Sequence, residues 1–291
     1  MKIEMILGAM SNIETTHNGN PYEVIANIYR AKDREIDILI GPEWSLTSAS
    51  GVYVQKFIRN NKAKDAINML FNAPDYCEYA PRDAKKILEE KINDESLFKE
   101  VPRIPYSKRE YEKLLKGLKM ASRGSDMLIF PGTAMFYDEN KALYNVMPVI
   151  RNGEVIKSVY KFNDGLGSKF NLEGALKLYP SETNNDEYCE GKYSLSYGED
   201  PIVNFEGINT SVEICADAGI LKKYGIDNLD LQVLSSCGNS STDSVINNSG
   251  YIAAVDGFKG VEINVSGKYA PKLRPIEKSN DLHLFNLQFD L

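Results

Sequence analysis

The sequence predicts a single α/β domain, and three observations carry that reading. Amphipathic helical stretches alternate with short apolar strands in the first half, while the second half is rich in strands and hairpins. No Gly/Ser or Pro tract and no fixed-period repeat divides residues 1–291. The 291 residues, 43% hydrophobic and 26% charged, are chain enough to bury a sizeable core.

The elements follow in order. MKIEMILGAM alternates well enough for a strand, and PYEVIANIYRAKDREI follows as an amphipathic helix with Pro21 near its start, where a missing N–H is harmless. DILIGPEW is a short apolar strand stopped by Gly41 and Pro42. From about residue 52 to 106 the lysine-rich stretches NKAKDAINMLF and PRDAKKILEEKI predict a helical insertion. After the prolines of FKEVPRIPYS, the run SKREYEKLLKGLKMAS predicts a further helix. SDMLIFPGTAMFY reads as a second buried strand ending in a proline–glycine turn. ALYNVMPVI and VIKSVYK predict a β-hairpin turning at Asn152-Gly153, and a second hairpin turns at Glu206-Gly207. Residues 162–198 are polar and glycine-bearing and read as loop. LDLQVLSS, GVEINV and LHLFNLQFDL read as strands, and GYIAAVDGF fits a strand or a short helix.

Charge and composition narrow the function. A formal net charge of -7 argues against nucleic acid as partner, because phosphate binding needs a basic face. The opening MKIEMILGAMSNIE has no apolar run of signal-peptide or membrane length, so the expectation is a cytoplasmic protein that does not engage a membrane. The four cysteines, Cys77, Cys189, Cys215 and Cys237, are scattered without a CxxC pair and read as reduced thiols. Neither His17 nor His283 stands at ligand spacing to them, so no metal site is expected.

Three reactive side chains stand where strands stop: Glu43 after ILIGP, Lys161 after VIKSVY, and Cys215 after TSVEI. Carboxyl ends of strands gather on one edge of an α/β sheet, where sites are built. Each residue alone has an ordinary reading: a solvated carboxylate, a surface lysine with a packed stem, a core thiol. Together they can divide the work of amide or nitrile hydrolysis. A carboxylate takes the thiol proton and returns it to the leaving nitrogen, the thiolate attacks carbon, and a cation holds the charge that develops. A lysine charge beside the thiol would favour thiolate, which makes Cys215 the expected site of alkylation at neutral pH. Cys237, also followed by glycine, is a rival nucleophile. A Cys-His enzyme using His17 or His283 has less support, since neither histidine sits at a strand end of this kind.

GPEW with Glu43, YKF with Lys161 and EICAD with Cys215 resemble, in order and separation, the three signature motifs of the carbon–nitrogen hydrolase (nitrilase) superfamily. The resemblance extends through MLIFPGTAMFY, the first hairpin, LDLQVLSSCGNSS and GYIAAVDGFKGVEINVSG, nearly the whole chain outside about residues 52 to 106. It implies a four-layer α-β-β-α sandwich and a Glu-Lys-Cys triad. Glu43 would be the general base, Cys215 the nucleophile and Lys161 the oxyanion-stabilising cation, joined by the amide N–H of Ala216. Glu173 in FNLEGAL is the candidate for the second glutamate that many members place between the lysine and cysteine motifs. The resemblance further implies a small amide, carbamoyl or nitrile substrate, no cofactor, and a homodimer or larger homo-oligomer.

The departures are as specific. Asn163 stands where the family often has histidine, and ADAGILKK follows where it commonly has an aromatic–proline or histidine-bearing segment. The insertion before Ser107 is long for the family. These leave the substrate open and admit an alternative, a nitrilase-like interaction module without turnover whose helical insertion docks a partner.

Overall fold

The computed structural model describes residues 2–11, 19–47, 86, 106–137, 142–161, 177–178, 202–223, 225–239, 241–265 and 272–290. The expected helical insertion at 52–106 lies outside the described residues apart from Lys86 and Tyr106, and so does Glu173. The loop expected at 162–198 lies outside them apart from Lys177 and Leu178.

The first half contributes β1 (Lys2–Met10), α1 (Pro21–Asp33), β2 (Ile38–Ile40), β3 (Tyr106–Ser107), α2 (Lys108–Ser122), β4 (Leu128–Phe130) and β5 (Ala134–Tyr137). Then come β6 (Ala142–Arg151), β7 (Glu154–Tyr160), β8 (Lys177–Leu178), β9 (Val203–Phe205) and β10 (Ile208–Ile214). The chain continues through α3 (Ile220–Lys223), β11 (Leu229–Ser236), β12 (Ile246–Asp256), β13 (Gly260–Val265), β14 (Glu277–Lys278) and β15 (Leu282–Asp290).

They form two sheets. The first has ten strands in the order β14-β15-β1-β2-β4-β6-β5-β3, with β7 and β8 also pairing to β6; the second has five in the order β13-β12-β11-β10-β9. Parallel strands lie at the centre of each: β1, β2 and β4 in the first, β10, β11 and β12 in the second.

Period-two alternation explains the layers. Ile38 and Ile40 of β2, with Leu128 and Phe130 of β4, enter a core shared with Val212 and Ile214 of β10 and with Leu231 and Val233 of β11. Their alternates Leu39 and Ile129 face the other way and pack with α1 and α2. The first sheet is therefore apolar on both faces. Burying each such aliphatic side chain stabilises the fold by about 1.5–3 kcal/mol.

Helix α1 presents Val24, Ile28 and Ala31 to that outer core, and α2 presents Tyr111, Leu114, Leu118 and Ala121. Asn20 caps α1, with Pro21 in its first turn. Ser107 and Glu110 close a reciprocal capping box on α2, with the Ser107 N–H donating to Glu110 Oε2 at 2.7 Å.

Two sequence readings need refinement. The expected strand through SDMLIFPGTAMFY is two strands, β4 and β5, because the chain turns at 131–133. GYIAAVDGF resolves as strand β12, paired on both sides by β11 and β13. The connection from β11 to β12 is tied back to β11 through the Gln232 side chain. Both hairpins form as expected, with Asn152 at φ 46 and Gly153 at φ 79, the left-handed pair of a tight two-residue turn.

Candidate active site

Glu43 sits on a pair of interlocked turns. After β2 the Gly41 N–H donates to the Phe130 carbonyl at 2.7 Å, tying the GPEW turn to the end of β4. The Trp44 N–H donates to Thr133 Oγ1 at 2.9 Å and the Ser45 hydroxyl to the Pro131 carbonyl at 2.5 Å. Gly132, at φ 88, allows this approach; a Cβ there would lie 1.8 Å from Ser45 Oγ. The result is a fully buried Glu43 on a rigid footing.

Lys161 leaves β7 directly. Its N–H donates to the Asn145 carbonyl on β6 at 2.8 Å, which continues the β6–β7 ladder and turns the side chain inward. Its Nζ donates to Glu43 Oε1 at 2.6 Å, and Asn145 Nδ2 donates to the same oxygen at 3.2 Å. Nζ also lies 5.4 Å from the centre of the Trp44 ring. A buried ion pair offsets its desolvation only with good geometry and extra hydrogen bonds, and this one has both. Glu43 Oε2 is buried with no N–H or O–H donor among the described residues, and the Cys215 thiol hydrogen-bonds to the Glu43 carboxylate.

Cys215 comes from the other sheet. It follows β10 at φ 47, a left-handed backbone that costs a non-glycine residue on the order of 1–3 kcal/mol, and it starts a turn of 3-10 helix through Asp217. Its carbonyl accepts from the Ala218 N–H at 3.0 Å and from Asn239 Nδ2 at 2.9 Å. Beneath the turn, buried Glu213 accepts from the N–H groups of Gly219 at 2.9 Å and Leu221 at 3.1 Å. Its other oxygen accepts from Gln232 Nε2 at 3.0 Å and from the Thr242 hydroxyl. Burial raises the Glu213 carboxyl above the usual carboxylate range, and these four donors oppose that. The strained backbone at Cys215 is thus held from several directions.

The three side chains expected at the site come together. Burial, with the charge of Glu43 adding to it, pushes the Cys215 thiol up to about 12, against the pull of Lys161 and of the Cys237 backbone N–H. This corrects the expectation of a thiolate favoured by lysine. Lys161 spends its charge on Glu43, and burial outweighs what is left. Cys237, the rival nucleophile, supports the Cys215 sulfur through its backbone. Ala216 follows Cys215 and is exposed at the turn. Cys77, Cys189 and His17 lie outside the described residues, and His283 is on β15 opposite Ala9. Among the described residues no group of three or more His, Cys, Asp or Glu could hold a metal ion, and no helix is long and apolar enough to cross a membrane.

No family model matches the sequence, and no curated protein matches it. Solved structures do match. The glutamine-dependent NAD+ synthetase of Acinetobacter baumannii, bound to ADP, aligns over 99% of this chain at 13% identity and a TM-score of 0.53. The alignment covers 46% of the synthetase, so this chain spans about half its length. A double mutant of the amidase from Nesterenkonia sp. AN1, in complex with acrylamide, aligns over 99% of this chain and 91% of its own at 10% identity and a TM-score of 0.51. Another mutant of that amidase, in complex with butyramide, aligns over 98% and 90% at 12% identity and a TM-score of 0.50.

The fold is that of the carbon–nitrogen hydrolases.

Within this nitrilase fold, two residues at the site escaped the sequence reading. Asn145 is the one polar side chain in the run YNVMPVI, a signal that was available. Glu213 lies two residues before Cys215, and alternation along β10 turns it away from the intersheet core that Val212 and Ile214 enter. A carboxylate on such a face reads as solvated. Here the β11–β12 connection covers it, and Gln232 and Thr242 take up its charge.

Proposed function

We propose that the chain is a thiol hydrolase cleaving a non-peptide carbon–nitrogen bond through Glu43, Lys161 and Cys215. The observation that carries this reading is the buried Glu43–Lys161 pair meeting a thiol held on a strained turn and hydrogen-bonded to the Glu43 carboxylate.

The chemistry follows from the charges. At rest Lys161 neutralises Glu43, and Cys215 is a neutral thiol. As Sγ forms its bond to the substrate carbon, its proton passes to Glu43 Oε2. Glu43 becomes neutral at that moment, so the Lys161 charge is released to the oxygen or nitrogen on which negative charge collects. The cation acts where charge develops, and most strongly in the transition state. The Ala216 N–H is the second oxyanion donor. Glu43 then returns the proton to the leaving nitrogen, and water activated by the freed carboxylate releases the acyl group. Glu173 is the second glutamate in this reading, and the working unit is a cytoplasmic homodimer or larger assembly.

The test is intact mass spectrometry of the full chain with panels of amides and nitriles. A covalent acyl or imidate adduct on Cys215, absent in Cys215→Ala, supports the reading. A folded wild-type chain that no probe ever modifies there would point to an interaction module.

A further inference from the structure

We infer that Asp256 is a positioning residue for Cys215: its carboxylate clamps the turn at 237–239, and that turn grips Cys215. The role concerns how the thiol is held, so it goes beyond the hydrolase reading above and is tested without turnover.

Asp256 closes β12 opposite Ser236, the last residue of β11. The residue is 4% exposed, and both of its carboxylate oxygens are occupied. Oδ1 accepts from the N–H groups of Phe258 and Lys259, each at 2.7 Å, which shapes the turn into β13. An aspartate serving only that turn would leave its other oxygen to water. Oδ2 instead faces the neighbouring strand end, where it accepts from the Gly238 N–H at 2.7 Å and from the Ser236 hydroxyl at 2.6 Å. Those two donors bracket Cys237. Gly238, at φ 105, lets the chain double back so that its N–H reaches the carboxylate.

The clamped turn touches Cys215 twice. Asn239 Nδ2 donates to the Cys215 carbonyl at 2.9 Å. The Cys237 N–H donates to the Cys215 sulfur, where it pulls against the burial that pushes the thiol up. The first contact sets the plane of the Cys215–Ala216 peptide, and a planar peptide then fixes the direction of the Ala216 N–H as well. The second favours the sulfur when it carries negative charge, because an N–H donor stabilises an anion more than a neutral thiol. Asp256 makes neither contact itself; it acts through the backbone that it immobilises. Without the carboxylate, a glycine-bearing turn spreads over more conformations, and a donor held on sulfur becomes a donor that visits it.

The experiment follows alkylation of Cys215 by iodoacetamide from pH 7 to 10 in the full chain, in wild type and Asp256→Asn, with the site located by peptide mass. The asparagine oxygen can still take the Phe258 and Lys259 N–H groups, so the turn into β13 is kept. Its NH2 group then faces the Gly238 N–H, donor against donor, and the turn at 237–239 is released. Loss of the N–H on sulfur should slow labelling at every pH by roughly 3- to 10-fold. The sign decides. Loosening with no donor lost would open the thiol to reagent and speed labelling, and an Asp256 that only builds the hairpin would lower the urea midpoint and leave the rates alone. Unchanged or faster labelling in a folded Asp256→Asn overturns the inference. Should that variant misfold, amide exchange in wild type decides: slow exchange at Cys237 and Gly238 supports the clamp, and exchange at the rate of an open loop overturns it. Failure of every amide and nitrile to acylate Cys215 would sink the hydrolase reading and leave this inference standing on the labelling.

Discussion

Glu43 and Lys161 are separated by 118 residues in the chain, yet Oε1 and Nζ meet at 2.6 Å with both side chains buried. Burial first, and then the Glu43 charge that offsets Lys161, keep Cys215 from being a thiolate despite the lysine nearby. Removing Glu43 or Lys161 therefore does more than delete a contact.

Glu43→Gln and Lys161→Met should each destabilise the fold by about 3–5 kcal/mol, because each leaves a buried partner uncompensated. The double variant should recover much of that loss while staying inactive. Urea denaturation of all four proteins checks this; a double variant whose loss is the sum of the singles would contradict it.

Glu43→Gln should also separate reactivity from turnover. The Glu43 charge holds the thiol up and the Lys161 charge pulls it down. Removing the carboxylate therefore lowers the thiol, and iodoacetamide should alkylate Cys215 faster at pH 8–9 than in wild type. On the proposed reading, turnover should fall by about 10²–10⁴, since Glu43 would no longer accept the thiol proton. Slower alkylation in the variant would mean that the sign of the Glu43 effect is wrong.

Stability should fall at alkaline pH. The Cys215 thiol stands near 12 in the fold, above its ordinary value of about 9, so the folded chain holds that proton more tightly than the unfolded one. The contribution is fully present below about pH 9 and is lost as pH rises towards about 12. Denaturation midpoints from pH 8 to 11 should decline less steeply in Cys215→Ser, which lacks the titrating thiol. Identical slopes would exclude Cys215 as the source.

Glu213→Ala should remove the footing of the Cys215 turn. It strands the N–H groups of Gly219 and Leu221 and the side chains of Gln232 and Thr242. A loss of about 1–3 kcal/mol or more is expected by thermal denaturation, with faster amide exchange confined to the turn and α3. Exchange unchanged at Gly219 and Leu221 would show that the carboxylate does not hold the turn.

Gly132→Ala should be damaging although it adds one methyl group. Its Cβ would meet Ser45 Oγ at 1.8 Å and the Pro42 carbonyl at 2.1 Å, on a backbone at φ 88. Because the second clash is with backbone, adding Ser45→Ala should not restore the Glu43 turn. Restoration of stability and Cys215 reactivity in that double variant would refute the account.

Local chemistry was what the sequence disclosed best. Asn152-Gly153 fixed one hairpin, Glu206-Gly207 the other, and Gly41-Pro42 marked where β2 stops. The strand ends carrying Glu43, Lys161 and Cys215 were legible as positions. Their electrostatic outcome was not, because it depends on how deeply the thiol is buried and on which charge Lys161 faces. Asn145 and Glu213 were hidden for a related reason. A polar residue in a strand reads as solvated until something covers it, and what covers these two comes from distant parts of the chain.

The site is assembled from two separately hydrogen-bonded sheets. Glu43 and Lys161 ride on the first and Cys215 on the second, and the Ser235 hydroxyl reaches across to the Gly41 carbonyl at 2.9 Å. Each sheet keeps its own ladder intact whatever the other does, so the alignment of thiol and base is set by side chains filling the gap between them. Phe130, Met147 and Val233 act in this sense as shims. A misplacement of about 1 Å can cost about 10²-fold in rate, so on the proposed reading trimming a shim far from the thiol would slow Cys215 chemistry without touching a reacting group.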